Sequence, residues 1–217
     1  MENKVYERST FYERFGKRLI DEVLAFIGLI VLVPVFVIIC IVIYADDPGP
    51  VFFVQKRVGK NKHYMKIHKF RTMKVSAPCD IPTHQLENPE QYITKVGKVL
   101  RKYSLDELPQ IWDIFCGRMS IIGPRPALWN QKDLVAERDK YNANSIMPGL
   151  TGWAQINGRD ELMISDKARL DGEYCRFLRE GCLRGMFFDI KCFLGTIKMV
   201  ICAEGVVEGG TKKNHGK

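Results

Sequence analysis

Residues 23–44 read VLAFIGLIVLVPVFVIICIVIY and contain no charged side chain. As an α-helix this stretch would be about 33 Å long at 1.5 Å per residue, enough to cross the hydrocarbon core of a bilayer. It is unlike a signal peptide, because a long leader of mixed charge precedes it and no small-residue cleavage site follows it. The sequence therefore predicts a helix embedded in a membrane.

The centre and the flanks of this stretch bear on its topology. Pro34 lies in the middle, where its missing N–H and its ring should kink the helix and let it turn back. Positive charge tends to stay cytoplasmic, so basic flanks on both sides favour two ends on one side of the membrane. Pattern alone supports a re-entrant hairpin and a kinked spanning helix equally. The basic flanks are Arg14, Lys17 and Arg18 before the stretch and Lys56, Arg57, Lys60 and Lys62 after it.

Composition limits the classes of binding partner and indicates the cellular compartment that the protein faces. The 217 residues suit one domain with a real core, and the net charge of +8 favours an anionic partner such as nucleic acid, anionic lipid or a phosphorylated substrate. A nucleic-acid-binding protein would leave the apolar stretch unexplained, so no nucleic acid partner is expected. The seven cysteines include no C-x-x-C pair and have no histidine at metal-ligand spacing, which indicates reduced thiols facing a cytosol.

The rest of the chain reads as short strands and amphipathic helices. Apolar runs alternate with basic residues over 51–73 and predict two short strands. The last helix carries Lys191 and Lys198 among apolar residues, which suits a membrane interface and a protein core about equally. The sequence predicts loops over 117–126 and 147–160, and helices over 92–101, 106–115, 127–143, 164–178 and 187–203.

The segment RKYSLDELPQ, residues 101–110, places the adjacent carboxylates of Asp106 and Glu107 close to Arg101. Ser104-x-x-Glu107 matches a capping box, in which Glu107 would only satisfy backbone donors at a helix start. The other interpretation is catalytic. In both, Asp106 lies near a helix N-terminus, where positive potential stabilises its anion and any phosphate beside it.

Several basic and polar side chains are candidates for binding phosphate and base. Arg125 in GPRP and Arg159 in NGR follow residues that stiffen or bend the backbone, and fixed guanidinium groups suit the oxygens of a diphosphate. Arginines in ordinary surface loops can have the same sequence context, so this pattern does not by itself identify a binding site. Further candidates with the same ambiguity are the basic pair Lys69 and Arg71 and the group Trp153, Gln155 and Asn157, which could contact a base or simply pin their loop.

Familiar catalytic signatures are missing from the sequence. It contains no G-x-x-x-x-G-K-[ST] loop, no G-x-G-x-x-G and no G-x-S-x-G elbow. Its four histidines are scattered, which argues against a histidine triad or a zinc site.

Taken together, these segments resemble the bacterial sugar transferase family, the monotopic polyprenyl-phosphate phosphoglycosyl transferases. The resemblance covers nearly the whole chain in the right order. The matching stretches are KR-x-x-D at 17–21, the apolar run with its proline, PVFFVQKRVG at 50–59, KFRTM at 69–73, YSLDELPQ at 103–110, MSIIGPRP at 119–126, PGLTGWAQINGR at 148–159, LD-x-x-Y at 170–174 and DIK at 189–191. Where the family has a Ser-Pro pair in the apolar run, this chain has Val33-Pro34.

The resemblance implies a helix-rich α+β fold. Residues 1–45 would form a re-entrant membrane helix broken at Pro34, residues 46–205 a small cytoplasmic catalytic domain with interfacial helices, and residues 206–217 a flexible tail. The active site would face the cytoplasm at the bacterial inner membrane, and the short N-terminus suggests the compact form of the family.

The resemblance also implies a reaction, in which a sugar-1-phosphate moves from a UDP-sugar donor to polyprenyl phosphate as the first membrane step of glycan biosynthesis. Asp106 would be the nucleophile that forms an aspartyl phosphosugar, and Mg²⁺ would be held by Asp106 and Glu107. The residues expected to bind substrate are Arg101, Arg125, Arg159, Lys69, Arg71, Gln155, Asn157 and Asp171. The alternative is a non-catalytic, basic, membrane-anchored scaffold protein. Membrane lipids are expected partners in both cases, whereas the sugar, the pathway and the oligomeric state stay open.

Overall fold

A computed structural model describes residues 8–77, 88–158 and 161–202 of the chain. It is a helix-rich α+β fold, as expected, and it contains two small two-stranded sheets. The expected tail over 206–217 lies outside the described residues. The helices are α1 (Lys17–Asp46), α2 (Lys95–Lys102), α3 (Gln110–Phe115), α4 (Lys132–Asp139), α5 (Trp153–Ile156), α6 (Ile164–Arg179) and α7 (Cys182–Cys202), and the strands are β1 (Phe52–Val58), β2 (Tyr64–Phe70), β3 (Ser120–Ile122) and β4 (Gly149–Thr151).

The apolar stretch lies within α1, and a π-helical turn, Tyr12–Gly16, precedes it. In the described part of the chain, this is the one helix long and apolar enough to cross a membrane. The helical backbone continues through Pro34, so the expected break at this residue is not confirmed. A proline removes one N–H donor and displaces one carbonyl, and the packing of α1 on both sides of Pro34 can keep the helix intact.

One face of α1 packs against the rest of the protein along its whole length. Its buried and half-buried positions recur every three or four residues, which is the spacing of a single helical stripe. The opposite face exposes apolar side chains such as Ile30, Val31 and Ile41. The packed positions include Asp21, Ala25, Gly28, Leu32, Val35, Ile39 and Ile43.

Polar contacts fasten both ends of α1 to the same body. Near its start, Lys17 Nζ lies 2.8 Å from Asp189 Oδ2 in α7. At its end, the Asp46 carboxylate accepts a hydrogen bond of 2.9 Å from the backbone N–H of Val96. The next residue, Asp47, pairs with Arg71 after β2. The two ends of α1 are therefore held to one body.

The strands over 51–73 are confirmed as an antiparallel hairpin of β1 and β2, paired from Phe52↔Phe70 to Val58↔Tyr64. A second pair was not predicted, because β3 and β4 lie in stretches that read as loops. These two strands run parallel, with Ser120 opposite Gly149. A Cβ on Gly149 would lie only 2.1 Å from the backbone nitrogen of Gly123, so the close pairing requires glycine. This pairing brings the GPRP loop against the segment that contains Trp153.

The C-terminal helices largely follow the sequence pattern. The helix expected over 164–178 is α6, whereas α7 begins earlier than the expected residue 187 and α4 is shorter than the expected 127–143. The one-turn helix α5 replaces a predicted loop. One face of α7 contributes Phe188 and Cys192 to the core, and the other exposes apolar residues such as Phe187 and Leu194. The core interpretation is therefore confirmed for one face of α7, and the membrane-interface interpretation stays a prediction for the other.

Candidate active site

Asp106 and Glu107 lie in a 3₁₀ turn, Leu105–Glu107, between α2 and α3. Ser104 precedes the turn with a φ of 55° and makes no side-chain cap. The capping-box interpretation is therefore wrong, because the Glu107 carboxylate contacts two cations instead. The helix expected from Asp106 begins at Gln110, directly after Pro109, where a missing N–H breaks no helical hydrogen bond.

Glu107 is held between Lys69 and Arg125. Lys69 Nζ lies 2.7 Å from Glu107 Oε1, and the Arg125 guanidinium bonds to both carboxylate oxygens, with Nη1 2.9 Å from Oε2. Burial by itself would raise the pKa of Glu107, but the charges of Arg125 and Lys69 hold this pKa well below its usual range. Glu107 is therefore a fixed anion that orients two cations.

Asp106 lies beside this ion cluster without the same clamp. Only 9% of the residue is exposed, and its Oδ2 is 3.8 Å from Lys69 Nζ. Burial raises the pKa of Asp106, the charge of Lys69 lowers it and the anion of Glu107 raises it again, so that the pKa is raised overall. Two adjacent carboxylates thus differ in chemistry, and the more basic one is the better nucleophile once it is ionised.

Arg101 lies at the carboxylate cluster, whereas Arg71 contacts the end of α1. Arg101 donates from Nε to Thr72 Oγ1 at 2.9 Å, and its charge lowers the pKa of Asp106, so it belongs to the carboxylate cluster. Arg71 donates instead to the carboxylate and the backbone carbonyl of Asp47. The described contacts of Arg71 therefore fasten the end of α1, although the residue was expected to bind substrate.

A cavity of about 250 Å³ adjoins the cluster, and Arg125 is part of both. Gln155 and Asp171, both expected to bind substrate, line it. Asp171 is buried and accepts a hydrogen bond of 2.8 Å from Arg138 Nε. Burial raises the pKa of Asp171, and the Arg138 guanidinium opposes this. The charged or amide side chains in the lining are Arg57, Arg125, Gln131, Arg138, Gln155, Lys167 and Asp171.

Sequence reasoning did not assign Arg57, Arg138 or Lys167 to a site. Arg57 belongs to the matching PVFFVQKRVG stretch, which was the one available signal for it. Arg138 and Lys167 lie on helices with charged residues around them, and only tertiary packing shows that they face a cavity. A single sequence contains no signal that separates them from other surface cations.

Three expected contacts of a base or phosphate remain: Asn157, Trp153 and Arg159. The structure shows packing or local hydrogen-bonding roles for the first two and does not describe the third. Asn157 is exposed and donates to the Trp153 carbonyl at 2.7 Å, at the end of α5. The Trp153 indole donates to Glu173 at 3.0 Å and packs against Phe188, so this side chain pins its loop. Arg159 lies outside the described residues.

Whether the two carboxylates could hold a magnesium ion depends on which groups already bind their oxygens. Both Glu107 oxygens are bonded to cations, whereas Asp106 has one ammonium group at 3.8 Å. Mg²⁺ needs only one or two carboxylates when waters and substrate phosphates complete its octahedron. No cluster of three His, Cys, Asp or Glu side chains occurs within the described ranges. Asp106 would therefore fit as a protein ligand of a magnesium ion, whereas the oxygens of Glu107, the other expected ligand, are already bonded to cations.

The model of the bacterial sugar transferase family matches residues 12–203 of this chain. The UDP-glucose:undecaprenyl-phosphate glucose-1-phosphate transferase of Escherichia coli (strain K12) is 38% identical over 194 residues, covering 85% of this chain and 40% of that protein. The galactosyl transferase CpsE of Streptococcus agalactiae serotype III (strain NEM316) is 36% identical over 209 residues, covering 88% and 43%. The exopolysaccharide production protein ExoY of Sinorhizobium fredii (strain NBRC 101917 / NGR234) is 35% identical over 173 residues, covering 73% and 76%.

The chain spans less than half the length of the Escherichia coli and Streptococcus relatives and about three quarters of the length of ExoY. The matched range, residues 12–203, includes α1, the acidic pair, the Arg125 loop and the cavity-lining segments. The chain belongs to the bacterial sugar transferase family.

Proposed function

We propose that this protein transfers a sugar-1-phosphate from a UDP-sugar to polyprenyl phosphate, as the first membrane step in building a glycan. The observation that carries the proposal is the asymmetric acidic pair. Glu107 is neutralised by Lys69 and Arg125, the more basic Asp106 lies beside them, and Arg125 also lines a cationic cavity. The names of the relatives in Escherichia coli and Komagataeibacter xylinus, which specify undecaprenyl-phosphate transferases, support the same reaction.

In the first half-reaction, an Asp106 carboxylate oxygen attacks the phosphorus that carries the sugar. A P–O bond to Asp106 forms as the P–O bond to the bridging oxygen breaks, and the nucleoside monophosphate leaves with that oxygen. Lys69, Arg101 and Arg125, which surround the acidic pair, would stabilise the negative charge that builds up on the transferring phosphoryl group. Glu107 keeps Lys69 and Arg125 in place.

In the second half-reaction, a phosphate oxygen of the polyprenyl phosphate attacks the same phosphorus. The bond to Asp106 breaks, which frees the carboxylate and leaves a polyprenyl diphosphate sugar. Because the two displacements use one site in turn, the water-soluble donor and the lipid acceptor need not be bound together.

Asp106 would hold the magnesium ion together with the phosphates of the donor. When bound, such an ion neutralises phosphate charge and so reduces the repulsion that a carboxylate nucleophile meets. Glu107 contributes to this charge balance because it holds Lys69 and Arg125 close to the donor phosphates.

The proposed membrane topology is re-entrant, with both ends of α1 at the cytoplasmic face of the inner membrane. Support comes from the contacts at the two ends, Lys17 with Asp189 and Asp46 with Val96, because one body holds both. Further support comes from the packing of one face of α1 along that body, because a helix that left the body to cross the membrane would lose these contacts. The outward apolar face of α1 and the nearby exposed rings of Phe26, Trp112 and Phe115 supply a surface for lipid.

A mass-spectrometric trapping experiment tests the proposal. Purified protein is mixed with a panel of UDP-sugars without acceptor, and the Asp106 peptide is examined for an added phosphosugar while uridine monophosphate release is measured. We expect an adduct on that peptide and one equivalent of nucleotide released before lipid is added. Release that strictly requires acceptor, with no adduct, would refute the covalent mechanism, and a scaffold protein would release no nucleotide under either condition.

A further inference from the structure

The start of α1 carries buried charges that the proposed reaction does not use. Lys17 and Asp21 lie one helical turn apart and are 6% and 7% exposed. Lys17 Nζ lies 2.8 Å from Asp189 Oδ2 in α7 and 3.9 Å from Asp21 Oδ2. Because burying a charge costs free energy unless it is paired and hydrogen-bonded, the partners of each carboxylate indicate what it does.

Asp189 joins helices to one another. Its Oδ2 accepts a hydrogen bond of 2.7 Å from the Tyr12 hydroxyl, and its Oδ1 accepts one of 2.7 Å from the Tyr174 hydroxyl in α6. Together with Lys17, these donors engage both oxygens of Asp189. This half of the network therefore holds the start of α1 against α6 and α7.

Asp21 bonds to a strand instead. Its Oδ2 accepts a hydrogen bond of 2.5 Å from Ser120 Oγ, and its Oδ1 accepts one of 3.2 Å from the backbone N–H of Ile121. Successive N–H groups of a strand point to opposite edges. The N–H of Ser120 donates to the Pro148 carbonyl next to β4 at 2.9 Å, whereas that of Ile121 points to Asp21. The carboxylate therefore binds the edge of β3 that lies opposite β4.

Strand β3 leads directly into the loop that contains Arg125. This arginine lies three residues after Ile122, the last residue of β3, and its guanidinium bonds to both carboxylate oxygens of Glu107. A pair of such short strands is marginally stable by itself, so the position of β3 depends on groups that bind it from outside the sheet. A displaced β3 would move Arg125 relative to the acidic pair.

We propose that Asp21 is a positioning residue for the transfer reaction, because it fixes β3 to the start of α1 and thereby holds Arg125 at the acidic pair. The inference rests on the proposed function, in which Arg125 stabilises charge on the transferring phosphoryl group. The apolar stretch begins at Val23, two residues after Asp21. The same carboxylate therefore links the membrane helix to the geometry of the active site.

A double-mutant cycle on the rate of Asp106 adduct formation tests this coupling. Asp21→Ala should slow single-turnover adduct formation about tenfold or more, since a misplacement of about 1 Å in an active site can cost roughly 100-fold. Arg125→Lys loses the forked guanidinium and should slow the step as well. If Asp21 acts through Arg125, Asp21→Ala should slow the Arg125→Lys protein much less than it slows the parent. Independent effects that multiply in the double variant would overturn the inference.

Tyr12→Phe is the matched control, because it removes one hydrogen bond to Asp189 in the same buried network and none to β3. It should leave the rate of adduct formation unchanged even if the unfolding temperature falls. Asp21→Asn keeps an oxygen that can accept from the Ile121 N–H, so it should retain more activity than Asp21→Ala, and it takes the place of that variant in the cycle if the alanine protein does not fold. An equal loss of rate in Tyr12→Phe and Asp21→Asn would show that the network acts only on stability.

Hydrogen exchange in the ligand-free full chain separates this inference from the proposed function. In Asp21→Ala, the backbone amides of residues 119–126 should exchange faster than in the parent and in Tyr12→Phe. If their exchange is unchanged and the Asp106 adduct forms at the parent rate, the positioning role alone fails. If exchange rises as expected but the parent forms no adduct and releases no nucleotide, the transfer reaction fails and the hold of Asp21 on β3 stands.

Discussion

At the scale of single residues, the acidic pair shows how environment separates two neighbouring carboxylates. Glu107 has three hydrogen bonds from Lys69 and Arg125, whereas the ammonium of Lys69 is 3.8 Å from Asp106. The consequence is a lowered pKa for Glu107 and a raised pKa for Asp106. Substitutions at the two positions should therefore change stability in opposite directions.

Replacing Asp106 by asparagine should stabilise the fold while abolishing transfer. Because the folded-state pKa of Asp106 is raised, its contribution to stability is present at low pH and is lost as pH rises through that pKa. At pH values above this pKa, burying the charged carboxylate costs free energy, and asparagine removes that cost. We expect a higher unfolding temperature at pH 7.5 and a loss of turnover of about 10³-fold or more, since no nucleophile remains. Folded protein with substantial turnover would contradict the nucleophile role.

Glu107→Gln should have the opposite effect on stability. It leaves the half-buried Lys69 and Arg125 beside an amide, and because solvent partly screens these cations, the cost should be at or below the roughly 3–5 kcal/mol of a fully buried ion pair. Chemical denaturation at pH 7.5 measures the loss. Glu137→Gln is the control, because Glu137 pairs with the exposed Lys140. Equal stability of the two variants would show that the contacts of Glu107 with Lys69 and Arg125 do not stabilise the fold.

The raised pKa of Asp106 also predicts how kcat/KM changes at acidic pH. A nucleophile must be ionised, so kcat/KM should fall as the pH drops through this pKa, above the ordinary range of an aspartate. The profile of uridine monophosphate release in single-turnover experiments gives the midpoint. A midpoint near or below the ordinary aspartate value would contradict the desolvated environment.

At the scale of elements, short strands position the arginine loop. The β3–β4 pair places Gly123 against Gly149, just before Arg125. Gly149→Ala should push the strands apart, because its Cβ would lie 2.1 Å from a backbone nitrogen, and should reduce both transfer and unfolding temperature. Gly28→Ala is the matched control, since its Cβ would make an ordinary contact of 3.8 Å with Ile111. Similar behaviour of the two variants would refute this close approach.

At the scale of the whole molecule, the central question is how α1 sits in the membrane. Single cysteines at positions 14 and 60, introduced as Arg14→Cys and Lys60→Cys in a cysteine-free background, flank the helix. An impermeant maleimide should label both from the cytoplasmic side only, because one body holds both ends of α1. Labelling of the two positions from opposite sides of sealed vesicles would show that the helix spans the membrane.

Predictions from the sequence were most accurate where a pattern is local. The apolar stretch, the β1–β2 hairpin and α6 follow from periodicity and composition within one segment. The capping-box interpretation of Glu107 failed because its local pattern was satisfied less well than a distant pairing with Lys69 and Arg125. The loop predicted over 147–160 contains β4 and α5 because pairing with β3 and packing on α6 and α7 outweigh its glycine content.

The amino-acid order alone determined that the chain carries a long apolar helix, an adjacent acidic pair and a series of arginine loops, and the order of these segments was enough to suggest the family. Only the folded chain decided that Arg71 holds the end of α1, that Glu107 is clamped, and that Arg57, Arg138 and Lys167 meet around one cavity. The physical reason is that hydrophobic periodicity acts within an element, whereas charge pairing and burial depend on residues that are far apart along the chain.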